Sequence, residues 1–200
     1  MNRTIYTIGH SNFTDEHLLE LLQPHGITAV ADVRSQPYSR FNPQFNREPI
    51  AAFFKRKGVE YLFLGRELGA RSEDRSCYRN GRAQYSLIAQ SRLFASGIEH
   101  LLGAAGKFNI AMMCAEKDPL GCHRTILIAR HLHEQGVDVR HILEDGSLEA
   151  HEQLLLRLLA AHGMQENHLF HSRDELVAIA YEKQAEEIQY AAEQTQQQPA

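Results

Sequence analysis

Several features that would define a class of protein are scarce in this sequence. Its 200 residues include three cysteines and no tryptophan. An odd and small number of cysteines argues against the disulfide framework of a secreted domain. No run approaches the roughly 18 consecutive apolar residues of a membrane span, and MNRTIYTIGH lacks the apolar core of a signal peptide. We therefore expect a cytoplasmic protein with no membrane partner.

Net charge is also small, at −4, but the charges are unevenly distributed. Residues 34–92 hold 12 Lys and Arg against 5 Asp and Glu, a balance of +7, whereas the rest holds 9 against 20, a balance of −11. A basic segment of this kind indicates an anionic partner, either a nucleic acid or an anionic small molecule. The alternative is internal pairing of the basic segment with the acidic helices.

Apolar runs alternate with helical patterns through the first part of the chain. Runs that are apolar throughout are typical of parallel strands buried on both faces. We therefore expect an α/β fold with three layers, in which a mostly parallel sheet lies between helices. The predicted strands are 4–10, 27–33, 59–64, 108–114 and 137–143, and the predicted helices follow Thr14 and lie near 48–57, 86–104 and 125–136.

Composition changes beyond Gly146. Residues 142–200 contain 11 acidic and 3 basic residues, and the segment after Gly146 reads as helical. We divide the chain into an α/β domain, 1–146, and an acidic helical extension, 147–200. The final QTQQQPA is predicted to be disordered because it offers no apolar surface to bury.

Polar residues follow several predicted strands at the point where each strand ends. In a parallel sheet these ends share one edge, which is where α/β proteins bind ligands. Histidine and carboxylate side chains at such an edge are suited to general acid–base catalysis, and a cysteine near a helix start is suited to act as a nucleophile. The predicted catalytic residues are His10, Asp32, Glu67, Glu116, Cys122 and His123.

Arginines near the same edge are suited to hold phosphate, because a guanidinium matches it bidentately. The predicted substrate-binding residues are Ser11, Arg34, Ser39, Arg40 and Arg124. Arg124 also begins a helix, whose free N–H groups attract anions. In the alternative interpretation, Asp32 holds Arg34 and only orders the following loop.

The stretch MMCAEKDPLGCHRTILIARHL, 112–132, contains four residues of metal-binding type: Cys114, Glu116, Cys122 and His123. Their C-x7-C-H spacing differs from the C-x2-C of zinc sites. The Cys-x5-Arg spacing of a phosphatase loop is absent as well. We therefore assign no metal ligand and leave the cofactor unknown, and Cys114 reads as a small core residue. A metal-dependent enzyme using Cys114, Cys122 and His123 stays an alternative.

Several motifs together resemble the domain-of-unknown-function family 488, over about residues 4–145. The resemblance implies a compact α/β domain of the bacterial cytoplasm and brings no established reaction. Ala70 stands where the family usually has a second glycine. The motifs are TIGHSN, DVRSQPYSRFNPQF, LGRELGAR, CAEKDPLGCHRTILIARHL and VRHI.

The leading hypothesis is an enzyme acting on a phosphate-bearing substrate, a nucleotide or nucleic acid, by hydrolysis, glycosidic cleavage or transfer. A non-catalytic nucleic-acid-binding or regulatory module is the second, because aromatic residues are interspersed among the arginines. These aromatics are Tyr38, Phe41, Phe45, Tyr78 and Tyr85. Nothing in the sequence predicts the oligomeric state.

Overall fold

A computed structural model describes residues 4–165 and 170–190. Its strands are β1 (Thr4–Gly9), β2 (Ala29–Asp32), β3 (Glu60–Phe63), β4 (Tyr78–Arg79), β5 (Arg82–Ala83), β6 (Ile110–Cys114), β7 (Asp138–Ile142) and β8 (Leu148–Ala150). Six of them form one sheet in the order β3-β2-β6-β1-β7-β8, and β4 and β5 form a separate hairpin. All pairs in the large sheet are parallel except β7 with β8. The predicted mostly parallel sheet is confirmed.

The helices are α1 (Asp15–Leu22), α2 (Arg47–Arg56), α3 (Gly65–Leu68), α4 (Tyr85–Ala89), α5 (Arg92–Ala105), α6 (Arg130–Glu134), α7 (His151–Ala161) and α8 (Arg173–Ile188). As predicted, α1 follows Thr14, whose hydroxyl accepts a hydrogen bond from the His17 N–H at 3.1 Å. The predicted helix 86–104 is two helices, because Ser91 caps the start of α5. The predicted helix 125–136 begins with a π-helical segment, Arg124–Ala129, before α6.

Helices cover both faces of the sheet, in three layers as predicted. Successive strand residues point to opposite faces. Val30 and Met113 pack with α1 and α2 on one face. Ala31 and Met112 pack on the other, in a cluster that includes residues of α5, α7 and α8. The centre of the sheet is therefore buried on both sides, which explains why the central strands β2 and β6 are almost entirely apolar.

The predicted helical extension beyond Gly146 is confirmed by α7 and α8, but the segment begins with a short strand, β8, that the sequence did not predict. Gly146 has a φ of 80°, which favours glycine and permits a tight turn. The turn is closed by Leu143 N–H donating to Ser147 O at 2.9 Å. It returns the chain antiparallel to β7, so residues 148–150 join the sheet of the preceding segment. The division at residue 146 stays a prediction.

The long polar segment 65–85, between the predicted strand 59–64 and the predicted helix 86–104, contains the short helix α3 and the β4–β5 hairpin. The predicted disordered tail, 194–200, lies outside the described residues. Over the described ranges, none of the helices has the length and apolar character needed to cross a bilayer.

Candidate functional site

The ends of β1 and β6 are joined by backbone hydrogen bonds at the carboxyl edge of the sheet. His10 N–H donates to Cys114 O and Ser11 N–H donates to Ala115 O, each at 2.9 Å. A Cβ at residue 9 would overlap the carbonyl group of Glu116, so glycine is required there. This close approach fixes the loop that carries Glu116 against the end of β1.

Four side chains that could bind a metal converge just past β6. The thiols of Cys114 and Cys122 lie 2.9 and 3.1 Å from the same Glu116 oxygen, Oε2. His123 Nδ1 lies 3.7 Å from Cys114 Sγ and 3.9 Å from Cys122 Sγ. One donor atom from each residue lies within 4.8 Å of the other three. Folding therefore brings together four candidate ligands whose C-x7-C-H spacing in the sequence differs from that of common zinc sites.

The orientation of His123 is fixed by its other nitrogen. Nε2 lies 3.0 Å from the backbone carbonyl oxygen of Val33, and because a carbonyl only accepts, Nε2 carries the proton. Nδ1 therefore faces the thiols. A histidine that binds a metal through one nitrogen usually donates the other N–H to a carbonyl or carboxylate in this way.

Charge within the cluster is uneven. Burial opposes a thiolate at Cys122, but the hydrogen bond from Cys114 and the positive charge of Arg124 outweigh it and lower the pKa of Cys122. Burial raises the pKa of Cys114, as does the neighbouring Cys122. Glu116 is an exposed residue whose carboxylate end packs on the thiols, and this burial raises its pKa. The cluster is thus suited to keep one thiolate and to share protons among its other members.

Arg124 lies beneath the cluster and is fully buried. Its Nη1 donates to Glu116 O at 2.6 Å and its Nη2 to Lys117 O at 3.1 Å, while Nε has no partner among the described atoms. The guanidinium therefore holds the backbone of the loop that carries Glu116. Its two terminal nitrogens are occupied by these carbonyls, although the sequence had suggested that they bind phosphate.

Asp32 and Arg34 form a buried bidentate ion pair. Arg34 Nε lies 2.9 Å from Asp32 Oδ1, and Arg34 Nη2 lies 2.6 Å from Asp32 Oδ2. The carboxylate also accepts the Tyr61 hydroxyl at 2.7 Å, and Nη2 donates to Phe45 O at 2.8 Å. This is the arrangement of the alternative interpretation, in which Asp32 holds Arg34.

His10 extends the same network toward the surface. Its Nε2 accepts from Arg34 Nη1 at 3.0 Å, so Nδ1 carries the proton and donates to Ser11 O at 2.8 Å. Burial and then the charge of Arg34 lower the pKa of His10 to about 4. The ring is therefore neutral near pH 7, and both nitrogens are engaged. The geometry suits a residue that positions the β1 loop better than a free general base.

A cleft of about 460 Å³ opens beside both clusters. Of the predicted site residues, His10, Ser11, Arg34, Ser39 and Glu116 line it. Arg40 is exposed next to Ser39. Glu67 lies apart, on α3, where its Cβ packs close to Gly97 of α5. The carboxyl edge of the sheet therefore brings together most of the predicted residues but not Glu67.

Comparison with known proteins gives a family and no described relative. The family model "Domain of unknown function DUF488" matches residues 14–131, more than half of the 200 residues. The chain belongs to DUF488. Neither the curated proteins nor the solved structures yield a match.

The DUF488 match includes the ion pair of Asp32 and Arg34. It also includes all four residues of the candidate metal site, Cys114, Glu116, Cys122 and His123, and it ends within α6. It leaves out His10 on one side and the helices α7 and α8 on the other. The sequence interpretation missed Tyr61, whose hydroxyl reaches Asp32 because β3 pairs with β2. The hydroxyl of Tyr61, within the predicted strand 59–64, is the only signal of this contact in the sequence.

Proposed function

We propose that this DUF488 protein is a metal-dependent enzyme in which Cys114, Cys122 and His123 bind the metal and Glu116 transfers protons beside it. The observation that carries the proposal is the convergence of four donor atoms within 4.8 Å. One of them belongs to Glu116, which lines the cleft. Thiolate and imidazole ligands favour zinc over magnesium or calcium, which prefer oxygen. Zinc is therefore the metal that this set of residues fits.

The distances fit a tetrahedral ion. Ligand atoms about 2.0 to 2.3 Å from zinc are separated by roughly 3.3 to 3.8 Å from one another. His123 Nδ1 lies 3.7 and 3.9 Å from the two sulfur atoms. Small movements of the thiols would complete the geometry, and the Val33 carbonyl already orients the imidazole.

Three protein ligands leave one position for water, as in catalytic zinc sites. A zinc ion held by Cys114, Cys122 and His123 would make a water in that position easier to deprotonate. In hydrolysis, the water oxygen would form the new bond to the substrate, and its proton would pass to the Glu116 carboxylate. Glu116 would return this proton to the leaving group as its bond breaks, so that the net reaction is addition of water across one bond.

A phosphate-bearing substrate, nucleotide or nucleic acid, remains part of the proposal, with different residues binding the phosphate. Arg34 and Arg124 are buried and bonded to protein acceptors. Arg40, in contrast, is exposed beside the cleft and has no carboxylate within 4.0 Å among the described residues. Exposed arginines of this kind support an anionic substrate, because their donors are not already committed to protein acceptors.

A closed structural zinc site is the second candidate, because a single Glu116 oxygen approaches both thiols at 2.9 and 3.1 Å. In that arrangement Glu116 is the fourth ligand and no water binds the metal. Glu116→Gln separates the two candidates. A variant that keeps stoichiometric zinc supports the catalytic arrangement, and one that loses most of its zinc supports the structural arrangement.

The metal itself is tested by elemental analysis of protein purified without chelator and then loaded with Zn²⁺. We expect stoichiometric zinc in the unsubstituted protein and its loss in Cys122→Ser and His123→Ala. Cys77→Ser is the matched control, since Cys77 is equally buried but lies outside the cluster. Absence of zinc after loading, or full retention by Cys122→Ser, would overturn the proposal.

A further inference from the structure

We infer that the cleft beside the candidate metal site binds a nucleobase that carries phosphate. The ligand is either a free nucleotide or one unit of a single-stranded nucleic acid. Its catalytic consequence rests on the proposed function, but binding itself does not require the metal. The inference draws on three features of the cleft: aromatic rings at its rim, amides on its walls and unpaired arginines at its edge.

The segment at the rim of the cleft carries two exposed aromatic residues. Tyr38 lines the cleft, and Phe41 lies in the chain between the lining residues Ser39 and Asn42. Phe41 is 89% exposed and Tyr38 is 59% exposed. The turn that carries Phe41 is held in place, because Ser39 Oγ accepts from the N–H groups of Phe41 and Asn42 at 3.1 and 3.2 Å. Ser39 N–H in turn donates to Asn46 Oδ1 at 2.7 Å. An uncovered ring on a fixed turn is suited to stack a base, because every base has an apolar face.

Neutral amides line the cleft below this rim. They belong to Asn12, Gln36 and Asn42. An amide offers both donors and acceptors, the combination found on the edge of a base. Gln36 Oε1 already accepts from Arg71 Nη1 at 2.8 Å, so its N–H groups are left to donate to a ligand. The walls therefore suit a neutral, hydrogen-bonding planar group.

Cations flank the same cleft. Arg71 reaches the cleft wall through Gln36, and its guanidinium stacks 4.1 Å from the centre of the Tyr190 ring. Arg40 precedes Phe41 directly and is exposed. Within the described ranges, ion pairs are recorded for neither of these arginines, whereas Arg66 nearby pairs with Glu73 at 3.2 Å. Their remaining N–H groups are suited to bind phosphate.

A neutral sugar would account for the amides but not for the two unpaired arginines. An acidic peptide would account for the arginines but would not need the amide-lined cleft. A base joined to phosphate uses all three features at once. Duplex DNA keeps its bases stacked away from such a cleft, so single strands and free nucleotides are the forms that fit.

The test measures the anisotropy of a fluorescent single-stranded oligonucleotide at low salt, with a nucleoside monophosphate as competitor. We expect Phe41→Ala to weaken binding about ten-fold. The double substitution Arg40→Ala with Arg71→Ala should weaken it and reduce its salt dependence. Arg66→Ala, an exposed arginine with its own carboxylate partner, is the matched control and should bind normally.

The unsubstituted protein should bind the oligonucleotide equally well before and after loading with Zn²⁺, which separates this inference from the metal proposal. Competition by the monophosphate assigns the site to free nucleotides, and binding of the oligonucleotide without such competition assigns it to single strands. Absence of binding by both ligands at low salt would overturn the inference. Unchanged binding by both Phe41→Ala and the double arginine variant would overturn it as well.

Discussion

His123 donates its Nε2–H to the carbonyl oxygen of Val33, 3.0 Å away, and so directs Nδ1 at two thiols. The end of β2 thereby orients a residue that lies 90 positions later in the chain. Sequence spacing cannot reveal this relationship, because it depends on the pairing of β2 with β6. The hydrogen bond from His123 to Val33 leaves Nδ1 positioned to bind a metal beside the two thiols.

Metal binding should release protons. Burial raises the pKa of Cys114, so this residue enters the reaction as a thiol and must lose its proton to bind the metal. We expect Zn²⁺ affinity to rise with pH and calorimetry in buffers of different ionisation enthalpy to detect the released protons. Cys114→Ser should release fewer. An affinity that stays constant between about pH 6 and pH 8 would contradict this expectation.

Gly9→Ala should disturb the candidate metal site by displacing the backbone of Glu116. The new Cβ would overlap the Glu116 carbonyl group, and the loop of Glu116 would have to move. We expect a loss of about 2 kcal/mol or more in unfolding free energy together with weaker zinc binding. Gly103→Ala in α5 is the matched control, because its Cβ would meet no atom within 4 Å. It should stabilise the helix by roughly 0.5–1 kcal/mol.

Asp32→Ala should be strongly destabilising, since it leaves the buried guanidinium of Arg34 without its carboxylate. Losing one partner of a buried ion pair costs about 3–5 kcal/mol. The exposed pair of Arg66 and Glu73 offers the comparison, and Glu73→Ala should cost less than about 1 kcal/mol. Urea denaturation measures both. Similar losses at the two sites would show that the Asp32 pair is not a structural anchor.

A buried chain of hydrogen bonds predicts sensitivity to acid. Thr7 Oγ1 lies 2.8 Å from His141 Nδ1, His141 Nε2 lies 3.0 Å from His151 Nδ1, and His151 Nε2 lies 2.7 Å from the Tyr181 hydroxyl. Burial lowers the pKa of His141, and burial lowers the pKa of His151 to about 3. Both rings are therefore neutral where they connect β1 to α8.

The direction of the pH dependence of stability follows from the lowered pKa values of His141 and His151. In the unfolded chain a histidine takes up a proton below about pH 6.5, whereas His141 and His151 resist it in the fold. Stability should be full above that pH and should fall as the pH drops, by up to ~1.4 kcal/mol per pH unit for each ring. His151→Gln should reduce the slope in urea denaturation, and His100→Gln on the exposed side of α5 should not. A slope that His151→Gln leaves unchanged would contradict the assignment.

The sheet could be predicted because its central strands β2 and β6 are almost entirely apolar. The first helix could be predicted because Thr14 supplies a clear cap. β8 could not, because three residues, Leu148–Ala150, are too few to show a period. The interruption of the predicted helix at Ser91 also depends on a local hydrogen bond that competes with a continuous helical pattern.

At the site, the sequence predicted the positions better than the roles. Residues at the ends of parallel strands converge as expected, and Asp32 with Arg34 form the pair considered as an alternative. Whether an arginine faces solvent or backbone carbonyls depends on tertiary packing, as Arg124 shows. The C-x7-C-H spacing argued against zinc because common spacings assume short loops. Here the loop after Cys114 folds back, with Asp118 capping its short turn.

Cobalt(II) substitution tests the central claim most directly, because its absorption spectrum reports both thiolate ligation and coordination number. We expect sulfur-to-cobalt charge-transfer absorption with tetrahedral ligand-field bands in the unsubstituted protein. Cys77→Ser should reproduce both signals, and the charge-transfer signal should fall by about half or more in Cys114→Ser, which removes one of two thiolates and weakens metal binding. A spectrum of octahedral aqueous cobalt without charge transfer, or identical spectra for Cys114→Ser and the unsubstituted protein, would contradict it.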